Sequence, residues 1–220
     1  MTAAGPNFRT VVLDVDSTLS GIEGIDWLAA RKGGDAAVTV ALLTERAMTG
    51  DIRLEDVYAE RLALVQPHAD EIEALSRAYV EHIAPGAQEA VQSWLAAGLR
   101  VVLISGGIRS ALSGLAAHLG VPEGDVHAVA ILHDEQGMYA RHHPSPLCVA
   151  TGKRDILKGL DLPRPVLAVG DGITDLEMKE VADAFAAFTG FAARPSVTAR
   201  ADFAINSFDE LSRLVNAPRT

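Results

Sequence analysis

The chain has 220 residues, 49% apolar and 22% charged, with 29 acidic against 19 basic side chains and a formal charge of −10. That length suits one compact domain or a domain carrying a sizeable insert, and the apolar fraction excludes disorder. The acidic balance argues against nucleic acid or an anionic membrane as partner, and the single Cys148 excludes an intrachain disulfide or cysteine-based zinc site. No apolar run approaches membrane-spanning length, and residues 1–10 lack the pattern of a secretion signal, so a soluble cytoplasmic protein is expected.

Residues 10–13, Thr-Val-Val-Leu, form a β-branched run without alternation, the pattern of a strand buried on both faces. The run leads directly into Asp14-Val15-Asp16-Ser17-Thr18. The stretch 21–83 then reads as several amphipathic helices with no strand. About 85 residues separate this polar cluster from the next, far more than one crossover helix needs. Residues 21–83 are therefore expected to be a helical insert over the strand ends, with 1–20 and 84–220 forming the core. A helical pattern at 86–97 precedes a second strand, 100–104, that ends in Ser105-Gly106-Gly107. Further along come a helix at 110–119, a strand at 126–132, and a turn at 134–137 leading into Met138-Tyr139-Ala140. A helical stretch at 154–160 precedes the third strand, 165–169, which ends in Gly170-Asp171-Gly172. A helix at 175–181 and a strand at 202–205 complete the pattern. Strands alternating with helices predict an α/β fold with a parallel sheet, whose ligands bind beyond the carboxyl ends of the strands. The three polar clusters would meet there.

Residues i and i+2 on an extended segment point to one side, so Asp14 and Asp16 face a common site. One carboxylate then serves as nucleophile or metal ligand while its neighbour carries a proton. Taken alone, the pair equally fits a turn that caps the next helix. Asp171 and Asp14, from neighbouring strand ends, form the kind of oxygen set that Mg²⁺ prefers, and Asp175 is placed to cap the helix that follows. Ser105-Gly106-Gly107 opens a helix and offers free N–H groups to an anion, and Lys153 supplies a positive charge. Each of these also fits an ordinary turn or a solvated side chain; their order along the chain favours a shared site. In the insert, Leu54, Val57, Tyr58, Arg61, Leu62 and Val65 follow helical spacing, which sets Arg61 in an apolar stripe. A buried arginine needs a partner, whether a ligand carboxylate or a structural acid such as Glu23 or Asp26. His133, His142, His143 and Cys148 read as loop or inert positions.

These motifs together resemble the haloacid dehalogenase superfamily of phosphohydrolases and, within it, the phosphoserine phosphatases. Asp14 to Thr18, Ser105, Lys153 and Gly170-Asp171-Gly172-Ile173-Thr174-Asp175 look like the superfamily's four motifs in order. Glu23-Gly24-Ile25-Asp26, Arg46-Ala47-Met48-Thr49-Gly50 and 60–67 look like the signatures of that branch's insert. The resemblance implies a Rossmann-like three-layer core with a central parallel sheet and a small helical-bundle cap inserted after the first strand. It further implies Mg²⁺-dependent hydrolysis of O-phospho-L-serine by a monomer or homodimer. Asp14 would be the nucleophile and Asp16 the acid and base. Asp14, Asp171 and the backbone carbonyl of Asp16 would hold the metal, supported by Asp175. Ser105, Gly106, Gly107, Lys153 and Thr174 would hold the phosphoryl group, while Glu23, Arg61, Met48 and Thr49 would meet the rest of the substrate. Another small phosphate ester, a phosphotransferase or a catalytically silent binding protein are the competing expectations. Gly21-Ile22, Ala150-Thr151 and the loop 141–146 depart from the family pattern.

Overall fold

The structure, a computed structural model, describes residues 8–217. Its strands are β1 (Thr10–Leu13), β2 (Arg100–Ile108), β3 (Val126–Val129), β4 (Ile131–His133), β5 (Tyr139–His142), β6 (Val166–Gly170), β7 (Ala184–Phe188) and β8 (Phe203–Ile205). Six of them form one parallel sheet in the order β3-β2-β1-β6-β7-β8. β1 lies at its centre, with Val12 opposite Val102 on one side and Ala168 on the other. Every residue of β1 and β6 is buried, as expected of strands covered on both faces. From β1 the chain builds β2 and β3 to one side, then returns to add β6, β7 and β8 on the other. The crevice at such a reversal is open at the carboxyl ends of the strands, which is where Asp14 and Asp171 stand.

Four helices occupy the interval between β1 and the return to the core: α1 (Gly24–Lys32), α2 (Gly34–Thr49), α3 (Leu54–Val65) and α4 (Ala69–Glu81). α3 buries Leu54, Val57, Tyr58, Arg61, Leu62 and Val65, the stripe its spacing predicts. Around the sheet run α5 (Ala87–Ala96), α6 (Arg109–Leu119), α7 (Gly152–Gly159), α8 (Ile173–Leu176), α9 (Pro195–Thr198) and α10 (Phe208–Asn216). α6 packs against α4, β2 and β3, so it ties the helical interval to the sheet. Trp94 of α5 and Phe208 of α10 lie with ring centroids 6.5 Å apart in the core. Among the described residues no helix is long and apolar enough to cross a membrane.

Two expectations change in detail, and one strand was not expected. The strand expected at 126–132 breaks at Ala130: β3 stays in the main sheet, while β4 leaves it to pair antiparallel with β5. The helix expected at 175–181 starts two residues earlier, at Ile173, and tightens to a 3₁₀ turn over Glu177–Glu180. β7, Ala-Phe-Ala-Ala-Phe, lacks the β-branched residues that mark strands, yet it is held by β6 and β8 on either side.

Candidate active site

Three strand ends meet beneath the helical interval. Asp14 and Asp16 follow β1 and Asp171 follows β6, while Ser105, Gly106 and Gly107, expected to open a helix, lie in the last part of β2, and the helix starts only at Arg109. The chain leaves β1 through Ser17 at φ +53°, a left-handed backbone costing roughly 1–2 kcal/mol for a residue with a side chain. This bend lets Ser17 Oγ donate to Glu23 Oε1 at 2.8 Å and turns Thr18 so that its hydroxyl donates to Asp171 Oδ1 at 3.1 Å.

Lys153, at the start of α7, reaches in with its ammonium 2.6 Å from both Asp14 Oδ1 and Asp175 Oδ1. Burial alone would lower its pKa, but the two carboxylates raise it, so the ammonium stays charged. Asp175 also accepts from the Gly172 N–H at 2.9 Å. It crowds β6 so closely that a Cβ on Gly170 would fall 2.2 Å from its carboxyl carbon, which explains the glycine there. Arg194, in the segment after β7, is buried against Asp171 and reaches Glu45 of α2 at 3.2 Å.

Oxygens of Asp14, Asp171 and Asp175 lie within 4.8 Å of one another. Burial first, then Asp175, pushes the Asp14 carboxyl well above its usual range, with Lys153 opposing. Asp171 is raised likewise, by burial, Asp175 and Asp14, with Arg194 opposing. Three buried aspartates thus outnumber two neighbouring cations, Lys153 and Arg194. Hard carboxylate oxygens short of positive charge fit a divalent cation, which would restore their ionised forms.

The Asp16 carboxylate turns away from this cluster. Its Oδ1 accepts from the Gly24 N–H and the Tyr79 hydroxyl, each at 2.7 Å, and its Oδ2 accepts from Ser105 Oγ at 3.3 Å. Burial raises its pKa, against the hydrogen bonds from Tyr79 and Gly24. The pocket between core and helices is lined at its floor by Asp14, Asp16, Gly106, Gly107, Lys153 and Thr174. Glu23, Met48 and Arg61, from the stretch between β1 and β2, complete the lining. Arg61 is 5% exposed and binds Asp26 Oδ1 through Nη2 at 3.2 Å, while its buried Nε has no partner among the described residues. Ser105 and Asp175 act on the pocket through their hydrogen bonds to Asp16, Lys153 and Gly172. Thr49 is placed off the pocket, its hydroxyl donating back to the Glu45 carbonyl at 3.0 Å.

Sequence reasoning did not single out Tyr79 or Arg194, nor a pocket role for Leu54 and Tyr58. Tyr58 reads as core, yet its hydroxyl donates to the Gly106 carbonyl at 2.7 Å. A buried arginine in a loop is a signal only once the buried acid it faces is known. Among the described residues the histidines form no metal-like cluster; His142 instead meets the Tyr58 ring edge-on at 5.6 Å.

The model of the haloacid dehalogenase-like hydrolases matches residues 11–180. The chain belongs to that family. The phosphoserine phosphatase of Rattus norvegicus is 37% identical to it over 205 residues, covering 91% of this chain and 90% of the rat protein. A phosphoserine phosphohydrolase-like protein from Francisella tularensis superposes with a TM-score of 0.86 at 26% identity, over 94% of this chain and 99% of that one. A phosphoserine phosphatase solved as a phospho-aspartyl intermediate analogue gives 0.80 at 25% identity, over 94% and 98%. Hydrolases of this family use a divalent cation, and the Asp14–Asp171–Asp175 cluster suits one.

Proposed function

We propose that this chain hydrolyses O-phospho-L-serine to L-serine and phosphate, with the helices of 21–83 as a cap over a core formed by 1–20 and 84–220. The observation that carries the reading is the mixed lining of the pocket. It joins Lys153 and the acidic cluster to Glu23 and to Arg61, whose Nε has no partner among the described residues. Phosphoserine needs such an arrangement, because it carries a dianionic phosphate at one end and an ammonium with a carboxylate at the other. A sugar phosphate offers no ammonium to Glu23 and no carboxylate to Arg61, and would leave the buried Nε of Arg61 without a partner.

Asp14 is the group to attack phosphorus, forming a phosphoryl–Asp14 ester as the seryl oxygen leaves with a proton from Asp16. Water then attacks the same phosphorus, its proton passing to Asp16, and Asp14 is released. Splitting one displacement into two in-line steps lowers each barrier, and most of the gain comes from positioning and charge neutralisation. Gly106 presents its backbone N–H to the phosphoryl oxygens, the Gly107 N–H donates to Ser105 Oγ at 2.9 Å and steadies that strand end, and Thr174 stands beside them. Mg²⁺, held by Asp14, Asp171 and the Asp16 carbonyl with Asp175 in support, would supply further charge neutralisation.

Phosphate release is to be measured from phosphoserine, phosphothreonine and 4-nitrophenyl phosphate with Mg²⁺ present. Asp14→Asn should abolish release from all three while leaving the fold intact. Arg61→Ala should reduce kcat/KM for phosphoserine by about a hundredfold, the worth of a charged hydrogen bond pair, and spare the aryl ester. Equal losses on both esters would remove Arg61 from substrate selection.

A further inference from the structure

Asp16 has two carboxyl oxygens, and the structure treats them differently. Oδ1 is saturated by two short hydrogen bonds, from the Gly24 N–H at the start of α1 and from the Tyr79 hydroxyl on α4. Oδ2 faces Gly107 and accepts only the longer bond from Ser105 Oγ at 3.3 Å. The backbone amide can only donate, so it holds Oδ1 as an acceptor, and the phenol hydroxyl supplies a second donor to the same oxygen. Oδ2 is thus the oxygen left for proton exchange with a ligand, and it is the one turned toward Gly107.

Tyr79 is fully buried, and its backbone is also tied down: Ser20 Oγ donates to its carbonyl at 3.0 Å. The fit around its hydroxyl is close. A Cβ built on Gly24 would lie 2.0 Å from the Tyr79 oxygen and 3.4 Å from Asp16 Oδ1. Gly24 thus keeps open the space in which the phenol meets the carboxylate.

We infer that Tyr79 is a positioning residue which, with the Gly24 amide, locks the Asp16 carboxyl so that Oδ2 delivers its proton to the leaving alcohol. This rests on the assignment of Asp16 as the acid. In the first step the Asp14 oxygen–phosphorus bond forms and the phosphorus–seryl oxygen bond breaks; the proton moves from Asp16 Oδ2 to the seryl oxygen. An alkoxide is a poor leaving group and depends on that proton. A 4-nitrophenolate leaves readily without it. A misaligned Asp16 therefore penalises alkyl phosphates selectively.

Rapid-quench single turnovers, which isolate formation of the phosphorylated enzyme from its hydrolysis, test this with both esters. In Tyr79→Phe, phosphorylation by phosphoserine should slow about tenfold, the upper worth of one hydrogen bond between neutral groups. Phosphorylation by 4-nitrophenyl phosphate and the Kd for phosphoserine should stay within twofold. Gly24→Ala, which keeps the phenol but crowds it off Asp16, should show the same selectivity and covers the case in which Tyr79→Phe folds poorly. Equal slowing with both esters, or an effect confined to Kd, overturns the inference. Asp16→Asn separates the two levels of the reading. If that variant is phosphorylated by phosphoserine at the wild-type rate, the acid assignment falls and the role of Tyr79 with it. If Asp16→Asn is selectively slow while both neighbouring variants are normal, only the role of Tyr79 is refuted.

Discussion

The Glu23 carboxyl accepts from Ser17 Oγ, and burial followed by the Asp16 charge pushes its pKa up to about 7, with Asp26 adding to the rise and Arg61 opposing it. In the role proposed for it, the ionised form is the one that would meet a substrate ammonium. The kcat/KM for phosphoserine, which reports the free enzyme, should therefore rise about tenfold between pH 6 and 8 beyond any rise seen with 4-nitrophenyl phosphate. In Glu23→Gln that difference should vanish, as a pH series on both esters would reveal. The same shift fixes the sign of its effect on stability. A carboxyl whose folded pKa lies above its unfolded value favours the fold at low pH, and that contribution is lost as pH rises from about 4.5 to 7. Arg61 makes a different point at this scale: spacing placed it on the buried face of its helix, but only the structure found Asp26 beside it and an Nε left over.

At the scale of elements, α3 shows how an apolar stripe positions a functional side chain. Leu62, Tyr58 and Val65 are buried around Arg61, so the guanidinium is carried into the pocket wall by packing rather than by a loop. Leu62 has no exposed surface, and Leu62→Ala should cost about 3 kcal/mol of stability, measured by urea unfolding. The strands β1, β2 and β6 were legible because β-branched runs buried on both faces have no polar alternation. β7 was not, since its alanines carry no strand preference and its place depends on the edges of β6 and β8. The run 126–132 shows a third case, in which uniform apolarity concealed a change of sheet at Ala130.

At the scale of the whole molecule, contacts distant in sequence hold helices and core together over the pocket. The β4–β5 hairpin touches the start of α4, with the Ala69 N–H donating to the Gly137 carbonyl at 2.9 Å and His133 Nε2 within 3.0 Å of the Pro67 carbonyl. Across the pocket, Arg194 joins Asp171 of the core to Glu45 of α2. That guanidinium shares Asp171 with any divalent cation in the cluster. Arg194→Met should lower the Tm of the metal-free protein, at a cost of about 3 kcal/mol for breaking a buried pair. Added Mg²⁺ should then raise Tm more than in the wild type and bind more tightly by calorimetry. Weaker binding would mean that Arg194 supports the metal site instead of competing with it.

The sequence by itself determined the parallel α/β core, the helical interval after its first strand, and the order of acidic, hydroxyl and lysine motifs at the strand ends. These follow from local rules: period, burial on two faces, and glycine-rich turns at the ends of strands. Tertiary structure decided which oxygens of each aspartate face one another, that Thr49 turns back onto its own helix, and that Tyr79 and Arg194 belong to the site. Such facts depend on groups brought together across 63 residues for Tyr79 and Asp16, or 149 for Arg194 and Glu45. No local pattern encodes a contact of that kind, because its partner is chosen by packing of the whole chain.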